Sequence, residues 1–280
     1  VVVACGQHLV VLLGGLDLST ASVMTLGGIL TFAWIGGPFS LLWVAPTVLL
    51  ITGLIGAANG IGVSVFGIPS FIMTLATGMI VAGAVLGFTQ GVPHGLASPA
   101  LAALFTAKLL GIPLVVFATL ALVALGSVMQ QRTAFGRRIY AIGTNRDAAY
   151  LAGVPVRRET VLCYALSAAA AGLAGILMVG YASGATLTMG QAYLLPPIAA
   201  VVLGGTSIAG GRGTLPGTAA AGVLLTAITT LTSALSLHEG WRTILYGCVI
   251  LAAVVVLRAE SYRSLAWRTF APLPSKGSLG

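Results

Sequence analysis

Residues 69–89, PSFIMTLATGMIVAGAVLGFT, run for twenty-one positions without a charged side chain. A stretch of this length and composition can cross the roughly 30 Å hydrocarbon core of a bilayer as a single helix. Similar runs recur along the chain, which is 58% hydrophobic and only 6% charged, against roughly 25% charged in soluble proteins. A soluble globular fold is therefore excluded, and the sequence predicts an all-α, polytopic bundle of transmembrane helices.

Counting the apolar runs predicts about nine membrane spans. They are placed at residues 1–14, 18–35, 40–61, 69–89, 113–129, 161–181, 195–208, 215–235 and 243–257. This count leaves Val1 on the outer side of the membrane, so we expect one more span upstream of it. A signal peptide at residues 1–15 is the weaker alternative, because that stretch has no basic N-terminal region. The predicted transmembrane domain covers residues 1–258, and residues 259–280 form a basic tail.

The positive charges indicate which side of the membrane each loop faces. Eleven of the 13 lysines and arginines lie in three places: residues 132–158, Arg212, and residues 258–276. The span count independently puts all three on one side, which the positive-inside rule identifies as cytoplasmic. A cytoplasmic loop at residues 132–160 and a cytoplasmic C-terminus follow. Because these charges sit between spans, they predict contact with membrane lipid rather than a nucleic-acid partner.

Several kinds of chemistry lack the residues they need. No glycine-rich loop precedes either lysine, so the chain cannot cradle nucleotide phosphates by itself. The five acids fall at span ends or in loops, which disfavours a proton-coupled transporter. The three histidines are scattered and the three cysteines lie in apolar runs, so we expect neither a metal site nor a cofactor, and no enzymatic activity. A packing role is the preferred interpretation for all six residues: His8, His94, His238, Cys5, Cys163 and Cys248.

Small residues recur at four-residue spacing within several spans, which lets helix backbones approach each other closely. The pairs are Gly56/Gly60, Gly83/Gly87, Ala168/Gly172 and Ala171/Gly175. They predict a compact bundle.

Polar residues within or between spans are candidates for a solute pathway. Asp17 and Ser19 follow Gly14-Gly15 at a break between two apolar runs. Asp17 is interpreted first as the N-cap of the next helix, and second as a residue that gates or lines the pathway. Asn59 is the only amide in its run, and Thr74 and Thr77 lie three apart on one helix face. These five residues are our predicted pathway set.

The segment 133–160 is the longest polar stretch, and residues 145–152 within it are predicted to form a short helix ended by Gly153. Its arginines could simply fix the topology and touch anionic lipid. Alternatively, the small Ala148 and Ala149 could form a face that docks into a groove of a cytoplasmic partner.

Five stretches in this order resemble the permease subunits of bacterial ABC importers of the ribose, xylose and arabinose type. They are GGLDLS at 14–19, GIPSFIMTL at 67–75, GRRIYAIGTN at 136–145, AAYLAGV at 148–154 and GGTSIAGGRGT at 204–214. The chain departs from the usual pattern at Thr20-Ala21, Ser70 and Ala209. Family members usually carry about ten spans.

The resemblance implies a subunit of a monosaccharide importer in the bacterial inner membrane, driven by a separate ATPase. It implies a periplasmic sugar-binding protein and a second permease copy, identical or different, as further partners. It also implies that the ATPase-coupling loop comprises Arg137, Arg138, Tyr140, Gly143, Asn145, Asp147, Ala148, Ala149 and Gly153. A branched-chain amino-acid or nucleoside permease is the alternative within related importers, and a secondary transporter is the alternative from another class.

Overall fold

A computed structural model describes residues 1–37, 39–95 and 99–234, together with residues 240, 244, 247 and 248. The chain divides into two compact units, Val1–Ile228 and Thr229–Gly280, and the sites discussed below belong to the first. The helices of the described part are α1 Val2–Leu12, α2 Thr20–Trp34, α3 Ser40–Ser64, α4 Ser70–Thr89, α5 Pro99–Thr106, α6 Leu114–Arg132, α7 Ala134–Thr144, α8 Arg146–Leu151, α9 Val156–Ala182, α10 Pro196–Leu203 and α11 Leu215–Ala234, with one 3₁₀ turn at Gln191–Tyr193.

A small hairpin joins α5 to α6. Its strands, β1 Lys108–Leu109 and β2 Ile112–Pro113, pair antiparallel, with Lys108 opposite Pro113. Leu110 and Gly111 at the turn both have positive φ, 53° and 82°, as a type I′ hairpin turn requires. Neither the hairpin nor α5 was predicted from the sequence.

The bundle is built around α9, which packs against α3, α2 and α1. Every residue of α1 is buried, so this helix lies inside the bundle rather than against lipid. Glycines bring the backbones together: a Cβ added at Gly60 of α3 would lie 2.5 Å from Val161 Cα, and one at Gly27 of α2 would lie 2.8 Å from Gly172 Cα. The predicted close approach at Gly56/Gly60 and Ala168/Gly172 is thereby confirmed.

Five described helices are long and apolar enough to cross a membrane: α3, α4, α6, α9 and residues 215–232 of α11. The prediction of an all-α polytopic membrane protein is confirmed. The predicted spans at 1–14 and 18–35 correspond to the shorter apolar helices α1 and α2. The ninth predicted span, 243–257, lies outside the described residues except for residues 244, 247 and 248, and the basic tail, 259–280, lies outside them entirely.

The predicted span at 195–208 is wrong in its length. The α10 helix has eight residues, which rise only about 12 Å. Pro196 and Pro197 stand at its start, where proline is tolerated, and the chain turns at Gly205 with φ of +85°. Local backbone restrictions therefore set both ends of α10, and counting apolar residues does not detect such restrictions.

Large apolar side chains cover the outward faces of α3, α4 and α6, for example Leu50, Met79 and Leu125. The Gly83/Gly87 pair lies on this outward face of α4, and a Cβ at either position would meet no atom within 4 Å. Unlike the pairs on α3 and α9, this pair does not serve packing within the subunit.

Candidate functional site

The break between α1 and α2 forms the first of two buried polar clusters. Asp17 lies in this break with its side chain fully buried. One carboxylate oxygen accepts from the Ser19 amide at 3.0 Å and the Ser19 hydroxyl at 2.6 Å. The other accepts from the Ser167 hydroxyl of α9 at 3.0 Å. Three donors from the break and from α9 thus compensate the burial of this carboxylate.

The cluster continues from Ser19 into α3 and α4. The amide nitrogen of Asn59 donates to Ser19 Oγ at 3.1 Å, and the amide oxygen of Asn59 accepts from the Thr77 hydroxyl at 2.6 Å. Asn59 is fully buried, and Thr77 is partly exposed. A continuous chain of side-chain hydrogen bonds therefore runs from Asp17 to Thr77.

The same break is held through its backbone. Leu18 N donates to Thr74 Oγ1 at 3.0 Å, and Leu16 N donates to Ser70 Oγ at 3.1 Å. Gln7 of α1, with its amide oriented to satisfy both groups, donates to Asp17 O at 3.1 Å and accepts from Asp17 N at 3.2 Å. Non-helical backbone at this depth is tolerated because neighbouring side chains satisfy its polar groups.

All five residues of the predicted pathway set meet in this cluster, although they come from three separate parts of the chain. One expectation about Asp17 was wrong. It is not the N-cap of α2, a position occupied by Ser19. The α1–α2 break folds inward onto α9, so a carboxylate that looks peripheral in the sequence is buried.

The polar segment after α6 forms the second feature of interest. It contains two helices, α7 and α8, whereas the sequence predicted only the second. Thr133 caps α7 by accepting from Gly136 N at 3.3 Å, and Asn145 caps α8 by accepting from Ala148 N at 2.9 Å. We refer to residues 133–155, which contain the predicted ATPase-coupling loop, as the coupling segment.

The predicted end of α8 at Gly153 is confirmed. Gly153 has φ of +79°, its N–H donates to Tyr150 O, and the N–H of Val154 donates to Ala149 O, both at 3.0 Å. This pair of bonds is a Schellman motif, for which glycine is the favoured residue.

The inner face of the coupling segment is apolar. Ala149 packs with Ile142 of α7 and Val156 of α9, and its exposed fraction is only 5%. The expectation that Ala148 and Ala149 share one docking face is therefore wrong, since Ala149 points into the protein. The outward face of α8 instead presents Ala148 with Tyr150 and Leu151, which are 70% and 85% exposed.

Three further residues of the predicted coupling loop attach α7 to the bundle. Arg138 forms a 2.9 Å ion pair with the buried carboxylate of Glu159 at the start of α9. The Tyr140 hydroxyl donates to Gly213 O at 2.6 Å, and burial raises its pKa. A Cβ at Gly143 would overlap Leu12 O at the end of α1. Arg137 and Asp147 are exposed to solvent.

The second buried polar cluster surrounds His8 of α1 and was missed in the sequence. His8 is fully buried. Its Nε2 lies 2.8 Å from the amide nitrogen of Gln130, and its Nδ1 lies 3.0 and 2.9 Å from the hydroxyls of Thr206 and Thr218. Gln130 also donates to Tyr140 Oη at 2.9 Å. The partners stand more than 100 residues from His8, so no local pattern could have indicated them.

Among residues 1–37, 39–95 and 99–234, no three His, Cys, Asp or Glu side chains come together as metal ligands. Both described clusters consist of hydrogen-bonding groups, with Asp17 as the only acidic member. Their geometry suits the fixing of helices relative to one another.

Comparison with known proteins identifies the family to which this chain belongs. A family model described as "Branched-chain amino acid transport system / permease component" matches residues 1–254. The ribose import permease of Haemophilus influenzae is 33% identical over 93% of this chain and 81% of its own length. The corresponding protein of Escherichia coli K12 is 34% identical over 91% and 81%. The fructose import permease of Bifidobacterium longum is 32% identical over 92% and 79%.

No solved structure matches the chain. The family match covers nearly all of the sequence, and the relatives align along most of their length, so the whole helical bundle is shared rather than one segment of it. This chain belongs to the family of branched-chain amino acid transport system permease components, as a multi-pass membrane permease.

Proposed function

We propose that this chain is the membrane-spanning subunit of an ATP-driven importer that carries a monosaccharide across the bacterial inner membrane. The observation that carries the proposal is the near full-length similarity to permeases named for ribose, fructose and D-allose. Sugar specificity rests on those relatives, whereas the family description itself mentions branched-chain amino acids. A branched-chain amino-acid permease is therefore the second candidate.

The coupling segment is proposed as the contact with a cytoplasmic ATPase. Its two capped helices form a compact unit outside the long apolar spans, and α8 presents Tyr150 and Leu151 to solvent. Exposed aromatic and aliphatic side chains on a short helix favour docking into a groove of a partner protein. The residues assigned to this role are Arg137, Arg138, Tyr140, Gly143, Asn145, Asp147, Ala148, Ala149 and Gly153.

These residues divide into three groups by their geometry. The exposed Arg137, Asp147 and Ala148 are available to touch the partner. Arg138, Tyr140 and Gly143 hold α7 on the bundle, and Asn145, Ala149 and Gly153 shape α8. A movement of the docked ATPase would therefore be passed to the bundle through α7.

The five residues of the Asp17 cluster are proposed to support the solute pathway rather than to bind sugar tightly. Asp17, Ser19, Asn59 and Thr74 are completely enclosed by this subunit, and Thr77 is partly exposed. We propose that the cluster holds the α1–α2 break in shape while the pathway opens alternately to either side of the membrane. A second permease copy would complete the pathway, and a periplasmic sugar-binding protein would deliver the solute.

Reconstitution in proteoliposomes tests the substrate class. The chain would be purified with a cognate ATPase and solute-binding protein, and uptake of radiolabelled ribose, fructose, allose and leucine would be measured with and without ATP. We expect ATP-dependent uptake of at least one sugar and none of leucine. Uptake of leucine alone would replace the first candidate by the second, and ATP-independent uptake of any solute would overturn an ATP-driven importer.

Orientation is tested separately by cysteine labelling. Ala148 on α8 and Val92 after α4 are both exposed, and the three-region charge pattern predicts that they face opposite sides of the membrane. In a background with Cys248 replaced, an impermeant maleimide added to intact cells should label Val92→Cys and leave Ala148→Cys unlabelled until the membrane is opened. The reverse pattern would invert the topology.

A further inference from the structure

His8 has no place in the function proposed so far, yet its surroundings are more completely specified than those of any other polar side chain in α1. It sits on a helix whose residues are all buried. From the sequence we expected His8 to have a packing role only. Its contacts show that it is a member of an ordered polar network with partners from α6, α10–α11 and α7.

The direction of each hydrogen bond in this network follows from one observation. Gln130 Oε1 accepts from Leu215 N at 3.0 Å, which sets the orientation of the amide. The Gln130 nitrogen therefore donates both of its protons, one to His8 Nε2 at 2.8 Å and one to Tyr140 Oη at 2.9 Å. Having accepted from Gln130, the Tyr140 hydroxyl donates its own proton to Gly213 O.

The tautomer of His8 follows from the direction of its bond with Gln130. Because His8 Nε2 accepts from Gln130, the ring proton of the neutral imidazole is on Nδ1. Nδ1 lies within 3.0 Å of both the Thr206 and the Thr218 hydroxyls, which share that proton. Every nitrogen of His8 and Gln130 then has a defined partner, and the network has one arrangement rather than several.

The network joins α7 of the coupling segment to the interior of the bundle. Tyr140 belongs to α7, Gln130 to the last turn of α6, and Thr218 to the first turns of α11. Backbone contacts reinforce the junction. Gly211 N donates to Leu12 O at 2.9 Å. A Cβ added at Gly136 would overlap the backbone of Gln130, and one added at Gly143 would overlap the backbone of Leu12. These contacts leave no space between α7 and the ends of α6 and α1.

The next residue on α1 leads into the Asp17 cluster. Gln7 holds the backbone of Asp17 at both its N–H and its carbonyl, while His8 faces Gln130. Two neighbouring residues of one buried helix thus connect the coupling segment with the α1–α2 break. Buried hydrogen bonds of this kind are costly to break singly, so the groups are expected to shift as a unit.

We propose that His8 is a positioning residue that couples movement of α7 to the helix break at Asp17, through Gln130 and Tyr140 on one side and through the adjacent Gln7 on the other. The inference rests on the proposed ATP-driven import. It adds a specific connection between the ATPase contact and the buried cluster. Loss of this connection should leave ATP hydrolysis in place while sugar uptake falls.

The test is the number of ATP molecules hydrolysed per sugar molecule imported by the reconstituted complex. Tyr140→Phe removes a single hydroxyl and interrupts the network between Gln130 and Gly213. We expect the ratio to rise at least threefold. Tyr181→Phe is the matched control, because Tyr181 is 71% exposed and contacts Phe105 through its ring, and its ratio should equal that of the wild type.

A second variant addresses His8 itself. The double change His8→Leu with Gln130→Met removes the bond between the two side chains without leaving either of them unpaired, while the N–H of Leu215 and the hydroxyls of Thr206 and Thr218 lose one partner each. It should show the same raised ratio as Tyr140→Phe at wild-type levels of assembled complex.

The possible outcomes separate the two proposals. An unchanged ratio in Tyr140→Phe, or hydrolysis and uptake that fall together in proportion to folded protein, would overturn the positioning role of the network. Failure of the proposed function would appear already in the wild-type complex, as absence of ATP-dependent sugar uptake. If the double variant does not assemble, the result for Tyr140→Phe decides alone.

Discussion

Gly60 offers a quantitative test of how closely the central helices pack. An added Cβ would lie 2.5 Å from Val161 Cα and 3.2 Å from Val161 N, whereas carbon atoms in comfortable contact are about 3.5 Å apart or more. In Gly60→Ala, α3 and α9 must therefore separate by about 1 Å. The obstacle is backbone rather than a flexible side chain, so the strain cannot be relieved by a change of rotamer, and overpacking of this kind costs about 1–3 kcal/mol.

A matched control removes the contribution of helix propensity. Gly83→Ala makes the same change within a long apolar helix, at a position where the new Cβ meets nothing within 4 Å. Any gain from replacing glycine by alanine, about 1 kcal/mol in a helix interior, is common to both variants. The difference in stability between them therefore reports the clash alone, with an expected size of about 2 kcal/mol.

Thermal unfolding of the detergent-solubilised protein measures this difference. At roughly 2–4 °C per kcal/mol for a chain of this size, Gly60→Ala should unfold about 4–8 °C below Gly83→Ala. Equal Tm values for the two variants would refute the close packing of α3 on α9. A Gly83→Ala variant less stable than the wild type would show that α4 is not open at this position.

Three other predictions follow from single contacts. Ala149→Glu should destabilise the protein by several kcal/mol in thermal unfolding, because it buries an unpaired charge. Ala148→Glu, in contrast, should leave Tm unchanged and lower sugar-stimulated ATPase activity, and equal Tm values for the two variants would place both residues on one face. Arg138→Ala should lower the free energy of unfolding by about 1–3 kcal/mol, because Glu159 loses its partner. Arg137→Ala, on the exposed face, should change it by no more than about 0.5 kcal/mol. Equal losses in the two variants would contradict a stabilising ion pair between Arg138 and Glu159. Asn59→Leu should reduce the proteoliposome uptake rate several-fold with the solute affinity of the binding protein unchanged, and a wild-type rate at matched expression would remove Asn59 from the pathway.

Local signals in the sequence were sufficient for the ends of α8. Asn145 can cap a helix through its side chain, and Gly153 can adopt the positive φ that closes one, whatever surrounds them. The long runs at 40–61, 69–89 and 113–129 likewise predicted α3, α4 and α6, because length and apolar composition are sufficient for a membrane helix. The resemblance to sugar importers added the coupling segment, which composition alone left as a basic loop.

The direction in which each side chain points required the folded protein. Ala148 and Ala149 are identical in type and adjacent, yet only Ala149 packs on Ile142 and Val156. Helix α8 has six residues, too few for an apolar periodicity to show which side is inward. The missed α7 is a different case, because its apolar residues Phe135, Ile139 and Ile142 stand at the i, i+4 and i+7 spacing of an amphipathic helix, a signal that the sequence did contain.

The amino-acid pattern was sufficient to predict an all-α membrane protein with a long polar segment between two spans, because hydropathy, charge and capping are properties of neighbouring residues. The contacts of the polar residues inside the bundle became visible only in the folded protein. His8 lies 122 residues from Gln130 and 210 from Thr218, and Asp17 lies 150 from Ser167. Hydrogen bonds across such separations depend on how helices cross in three dimensions, and a buried polar residue gains its role from partners that the order of the chain does not show.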